Sequence, residues 1–339
     1  MSIALERGIA PVSAMLRAAE TEDLAFQEPG AGWWLHHGAW HRVEVPEMTY
    51  ARMHGIAVMA AAQTRQEITH RSPILTADLP GELRLEAVMP PVQMPGTMAL
   101  TFRRVDKELD EIEAMPSLYD TSRWNQWADR KQRMQARDAL LLTHYDAGDI
   151  ISFHKELAKA RKTGLFCGAT GAGKTRLSKM LGGAIPLHER IIAIEDAREL
   201  VIRQPNHVRH FYSGGDSGVR PAKLLKTTLR ERPDRVLLAE MRDPEAAAVF
   251  ISDVMAGHPG SLSTIHGGYP GEAARRLVDL LSDGKTTGVE TIIAQLEAAI
   301  DFIIPVENDG GIRSIGAIWF RADAARRGET FRDLLKDVQ

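Results

Sequence analysis

From about residue 141 onward, short apolar runs alternate with longer stretches of helical spacing. The runs are "GLFC" (164–167), "RIIAIED" (190–196), "DRVLLAE" (234–240) and "GSLSTIH" (260–266). They have the length and continuity of strands buried on both faces, and all but the first close on a polar residue. Between them, residues 174–181, 221–231 and 243–257 carry apolar positions at helical spacing. The last of these opens with Asp243 as N-cap and Pro244 at the first helical position, and it stops at Gly257. Two further helical patterns (272–284 and 289–300) precede a hairpin over 301–320, built around an Asn-Asp-Gly-Gly turn. This alternation predicts an α/β fold: a mostly parallel sheet with helices on both faces.

The first third of the chain has a different rhythm. "GWWLHHGAWHRVEV" (32–45) reads as a hairpin, 48–66 as a helix, and 72–91 as two strands joined by a turn at Pro80-Gly81. Another strand at 96–104 ends in two arginines. Residues 105–140 are charged and short of β-branched residues, which predicts a long, partly helical connector with solvated charged faces. The expected organisation is therefore a smaller α+β domain (1–104), a linker (105–140) and an α/β domain (141–339). A length of 339 residues favours two domains on its own.

Composition adds mostly exclusions. With 44% hydrophobic and 26% charged residues, the chain has the make-up of an ordinary globular protein. Its net charge of -3 argues against constitutive coating of nucleic acid. The lone cysteine, Cys167, cannot form an intramolecular disulfide, which suits a reducing compartment. Glu6 and Arg7 interrupt any apolar run at the start, and no stretch approaches the ~20 apolar residues that span a bilayer. A cytoplasmic protein is expected, with peripheral membrane contact left open.

Chemistry enters at "GATGAGKT" (168–175), which matches G-x-x-x-x-G-K-[ST] between a strand and a helix. Gly168, Ala169, Thr170, Gly171, Ala172 and Gly173 would wrap their N–H groups around phosphate oxygens. Lys174 would reach the β- and γ-phosphates, Thr175 would ligate Mg²⁺, and Arg176 opens the following helix. ATP and Mg²⁺ are the cofactors this loop implies.

In a parallel sheet, ligand groups gather at the carboxyl ends of the strands. Those ends supply Glu195 and Asp196, Glu240, and His266. Taken singly, the acidic pair suits a turn start, Glu240 an ion pair and His266 a satisfied core position. Their common place beside one phosphate loop favours catalysis, with Glu240 as a second Mg²⁺ contact. Arg230, Arg232, Arg235 and Arg242 are candidates for a charge on the γ-phosphate, one of them reaching it from a neighbouring subunit as an arginine finger does, with Arg230 counted as catalytic.

The ordered set "GATGAGKT", "RIIAIEDAREL", "LRERPDRVLLAE" and "GHPGSLSTIH" resembles the secretion-ATPase superfamily, and within it the traffic ATPases encoded in the VirB operons of type IV secretion systems. The stretch "SPILTADLPGELRLEAVMPP...GTMALTFRR" is similar to the first domain of that branch. The resemblance implies a RecA-like P-loop ATPase domain behind a smaller α+β N-terminal domain. It implies a homohexameric ring at the cytoplasmic face of the inner membrane, working with other secretion ATPases and channel components. It makes Glu195-Asp196 an Asp box in which Glu195 positions water or metal and is catalytic, Glu240 the Walker B glutamate, and His258 and His266 a His box. Arg103 or Arg104 would match first-domain arginines that touch phosphate. Ala239 stands where the branch often has Gly, and Asp243-Pro244 follows where Gly is common. Competing readings are a type II secretion or pilus-retraction ATPase, a RecA-like DNA-dependent ATPase, and a scaffold that binds ATP only for assembly. With one cysteine, the chain lacks the four-cysteine metal module usual in type II assembly enzymes.

Overall fold

The computed structural model describes residues 3–105, 112, 115, 122, 127–212, 218–283 and 287–336; of 127–135 it describes the backbone alone. The first unit runs α1 (Ile3–Ile9), α2 (Ser13–Arg17), β1 (Thr21–Glu28), β2 (Ala31–His36), β3 (Ala39–Glu44), α3 (Tyr50–Gln63), β4 (Ile74–Leu79), β5 (Leu83–Val88) and β6 (Ala99–Arg104). Its six strands form an antiparallel sheet in the order β3-β2-β1-β6-β5-β4. Helices α1 and α3 cover one face, burying Leu5, Ile9, Met53, Ile56 and Ala60 against Leu24, Leu85, Leu100 and Phe102. Thr49 caps α3 by accepting the Arg52 N–H at 3.2 Å. The expected hairpin, helix and strand pair all form; β1 was not anticipated.

Helices α4 (Trp127–Asp146) and α5 (Ile150–Lys159) lead into the second unit. The linker expected over 105–140 lies mostly outside the described residues as far as 126. Helix α4 runs on past 140 and delivers Leu141 into the core of the second unit. There follow β7 (Gly164–Gly168), α6 (Lys174–Gly182), β8 (Ile191–Glu195), β9 (His207–Phe211), α7 (Pro221–Thr228), β10 (Arg235–Leu238), α8 (Pro244–Met255), β11 (Leu262–His266), α9 (Pro270–Ser282), α10 (Val289–Ala299), β12 (Phe302–Asp309), β13 (Ile312–Ile315) and β14 (Trp319–Phe320).

The second sheet has the order β13-β12-β7-β11-β10-β8-β9, with β14 also on β12. All pairs from β12 to β9 are parallel. The alternation of side chains sorts each strand between two cores. Cys167, Ile192, Ile194, Val236, Leu238 and Ile265 pack under α7, α8, α9 and α10. Phe166, Ile191, Ala193, Leu237 and Ile304 pack under α4, α5 and α6. Both faces are dry, which is why these strands read as unbroken apolar runs. The expected α/β sheet with two helical layers is borne out.

The first domain docks on the outer edge of this sheet, at β9. The Phe211 N–H donates to the Val92 carbonyl at 2.7 Å. Gln93 meets the His210 ring at 2.6 Å, and the other ring nitrogen of His210 meets Glu231 at 2.5 Å. Arg190 is fully buried here, donating to the Glu231 carbonyl and to Asn206, which also accepts from Gln27. Around the rim, Arg232 pairs with Glu22, Arg103 with Asp23, and Arg230 donates to Thr76.

Within this seam Glu86 is buried, accepts from Thr76 at 2.7 Å, and has one oxygen unpartnered. Burial, reinforced by the nearby Glu231 carboxylate, pushes its pKa from 4.5 to about 8. Between those values the folded chain holds a proton the unfolded chain has lost, so stability falls as pH rises through that window. Glu86→Gln should flatten that decline and leave the variant more stable than the parent at pH ~9. Thermal midpoints measured across the window check this; an unchanged slope would show that the seam does not desolvate the carboxyl.

Candidate functional site

The parallel register brings the carboxyl ends of β7, β11, β10 and β8 to one edge. His266, the last residue of β11, stands opposite Gly168, the last of β7. The chain then turns through 169–173 into α6. Gly173 sits in a left-handed conformation (φ 110°) at the N-cap, with no side chain capping the helix, so the first N–H groups of α6 face the loop's interior. Gly168 is required by crowding: a Cβ there would lie 2.3 Å from the Val306 carbonyl oxygen.

Lys174 is buried and folds back over its own loop, donating to the carbonyls of Gly168 at 2.9 Å and Ala169 at 3.0 Å. Burial lowers its pKa, while the Glu240 carboxylate pulls the other way. The Glu240 side chain is bracketed. Its Oε1 is 2.6 Å from His266 Nε2, and its Oε2 accepts from Arg242, which in turn pairs with Asp196 at 3.2 Å. Burial alone would raise the Glu240 pKa, but Arg242, His266 and Lys174 together outweigh it and the net shift is downward. Lys174, Glu240, His266, Arg242 and Asp196 are thus one electrostatic group beside the loop. Thr175 stands half-buried at the start of α6, next to exposed Arg176.

Glu195 sits differently from its neighbour. It is fully buried, and its carboxylate accepts from the Glu199 and Leu200 N–H groups at 3.1 and 2.7 Å and from Arg209 at 2.8 Å. Those bonds fasten the 195–200 turn and clamp β8 to β9. Arg209 escaped the sequence reading because its five-residue strand, "HVRHF", follows a stretch without apolar periodicity. His258 lies before β11, at the opposite edge of the sheet, near Pro233 and Asp234. Arg235 is buried at that same edge, gripping Glu189 with two bonds of 2.6 Å. Arg103 and Arg230 belong to the domain seam, where Asp23 and Thr76 hold them, and Arg104 donates to the Ala18 carbonyl within the first domain. The seam's strand, β9, is four strands removed from β7, about 19 Å at ordinary strand spacing. Cys167 is buried in β7, and burial pushes its thiol up to about 12, which leaves it a packing residue.

Residues 130–307 match the family described as "Type II/IV secretion system protein". Over 331 residues the chain is 41% identical to Protein VirB11 of Agrobacterium fabrum, covering 96% of both chains. The chain belongs to the VirB11 family of secretion ATPases. Other VirB11-family relatives include the Bartonella quintana protein, 32% identical over 91% of each chain. PtlH, a type IV secretion system protein of Bordetella pertussis, is 32% identical over 90% of this chain and 92% of its own. The crystal structure of the VirB11 ATPase from Brucella suis, determined in complex with sulphate, superposes with a TM-score of 0.86 at 28% identity over 96% of both chains. The resemblance drawn from the ordered boxes is borne out over the whole chain, first domain included. VirB11-family membership makes the chain an ATPase. Among the described residues no helix is long and apolar enough to cross a membrane.

The bonds of Glu195 make a distinguishable forecast. Glu195→Ala strands Arg209 and the buried Leu200 N–H, so nucleotide-free protein should lose about 3 kcal/mol of stability. Denaturant unfolding measures this. Full stability combined with lost hydrolysis would instead assign the carboxylate to the chemistry.

Proposed function

We propose that the chain is an ATP-hydrolysing ring motor that energises a type IV secretion system, for substrate transfer, pilus assembly or both. The observation that carries this reading is the meeting of Lys174, Glu240 and His266 at one sheet edge, in a chain that aligns with VirB11 proteins over nearly its full length. ATP and Mg²⁺ are its cofactors. The N–H groups of residues 168–176 receive the phosphates, and Lys174 leaves its two carbonyls for the β- and γ-oxygens. Thr175 and Glu240 would hold Mg²⁺, which would supply charge neutralisation at the phosphates. Mg²⁺ favours one or two protein ligands completed by phosphate and water.

Glu240 orients the attacking water, and the charges of Arg242, His266 and Lys174 beside it favour its carboxylate form. His266, in contact with Glu240, carries the phosphate state into β11. Glu195 is a positioning residue: it holds the turn that presents Asp196 to Arg242. Arg103 and Arg230 are occupied at their own chain's seam, so they serve a nucleotide only on a neighbouring copy and only after leaving Asp23 and Thr76. The working assembly is a homohexamer at the cytoplasmic face of the inner membrane, in contact with other secretion ATPases and channel components. Net negative charge speaks against constitutive nucleic-acid binding.

Lys174→Ala and Glu240→Gln should each reduce ATP turnover at least 100-fold, a loss typical of removing a charge that acts only in the transition state. Wild-type turnover in either variant would sink the assignment. Light scattering should find six copies of the 37.5 kDa chain, about 225 kDa; a fully active stable monomer would rule out the ring.

A further inference from the structure

The β12–β13 hairpin, which the proposed function leaves without a role, lies against the phosphate loop on the side away from Glu240 and His266. It turns tightly at Gly310-Gly311, both at positive φ, and pairs Val306 with Ile315 and Asn308 with Arg313. Residues paired across a hairpin, and those two apart along a strand, share one face. Val306 and Arg313 therefore point the same way, and that way is toward the loop. A Cβ added at Gly173 would lie 3.0 Å from Arg313 Cδ, 3.1 Å from Arg313 Nε and 3.8 Å from Val306 Cγ1. The aliphatic stem of Arg313 thus rests on the backbone of Gly173.

The guanidinium beyond that stem is unspent. Most arginines of this domain are anchored: Arg209 on Glu195, Arg235 on Glu189, Arg242 on Glu240 and Arg321 on Asp301. Among the described residues no hydrogen bond or ion pair holds Arg313, which is exposed. A planar cation with five donors, laid over the loop whose N–H groups take the α- and β-phosphates, is placed to take phosphate oxygens itself.

We propose that Arg313 is a nucleotide-binding residue that grips the α,β-diphosphate, the part shared by ATP and ADP, from the flank opposite the hydrolytic group. This rests on reading 168–175 as the ATP site. The flank decides which phosphates it serves. Strand β7 lies between β12, which carries the hairpin, and β11, which carries His266. The γ-phosphate belongs on the β11 side with Lys174 and Glu240, so Arg313 contacts the portion that stays behind after hydrolysis. It acts on retention of the nucleotide, ADP included.

Fluorescent-ADP titration and steady-state ATP hydrolysis on the full chain test this with Arg313→Ala and Arg313→Lys. A charge-assisted bond of this kind is worth about tenfold or more in affinity. Arg313→Ala should weaken ADP binding and raise the KM for ATP by about that factor, with the loss in kcat/KM carried by KM. Arg313→Lys should recover part of it, since it keeps the charge and loses the fork. Unchanged ADP affinity would overturn the proposal. So would a fall in kcat at constant KM, which would put the guanidinium on the γ-phosphate. Lys174→Ala run alongside separates the two readings. If it hydrolyses ATP normally, the site itself is misassigned; if it is dead while Arg313→Ala binds ADP normally, only the role of Arg313 fails.

Discussion

Parallel strand pairing is the constraint on which the rest of this molecule depends. Because β7, β11, β10 and β8 run the same way in adjacent register, their last residues emerge along one line. That alone brings a histidine from one strand end into contact with a glutamate just past another, and a loop lysine close enough for its charge to act on that glutamate. The cost of such a sheet is that both faces must be covered. Two helical layers do this, so strand polarity, apolar content and site geometry have a common cause.

A second theme is how the site is tied to the domain seam. Glu195 ends β8, beside β10, and is bonded to Arg209 on β9, the strand whose next residues touch Gln93 and Val92 of the first domain. On the other side, Glu231 stands just ahead of β10 and bonds to His210, also on β9. Two buried polar contacts therefore connect the edge where the first domain sits with the strands that carry Glu195 and Glu240. Buried, hydrogen-bonded carboxylates hold discrete geometries where apolar packing would slide.

Much of the fold was legible because its signals are local. The apolar runs of β7, β8, β10 and β11, the Asp243-Pro244 start of α8 and the two-glycine turn after β12 each follow from a few adjacent residues. Strands β1 and β9 were not legible: "TEDLAFQE" and "HVRHF" mix polar and apolar positions, since one side of each meets the domain seam instead of a helix. At the site, residue types and order pointed to Lys174, Glu240 and His266. The resemblance gave the catalytic part of the Asp box to Glu195; what sequence could not show is that its carboxylate is bonded to backbone N–H groups and Arg209 while Asp196 reaches Arg242. Nor could it find Arg313, whose bearing on the loop comes from a hairpin more than a hundred residues downstream folding beside β7.

The posture of Lys174 has a consequence for how the loop is braced. Its ammonium is bonded to the carbonyls of Gly168 and Ala169, so a charge that the fold buries is met by the loop's own backbone. Those two bonds run from the first residue of α6 back to the end of β7, so the lysine is also a strut across the turn that joins strand to helix.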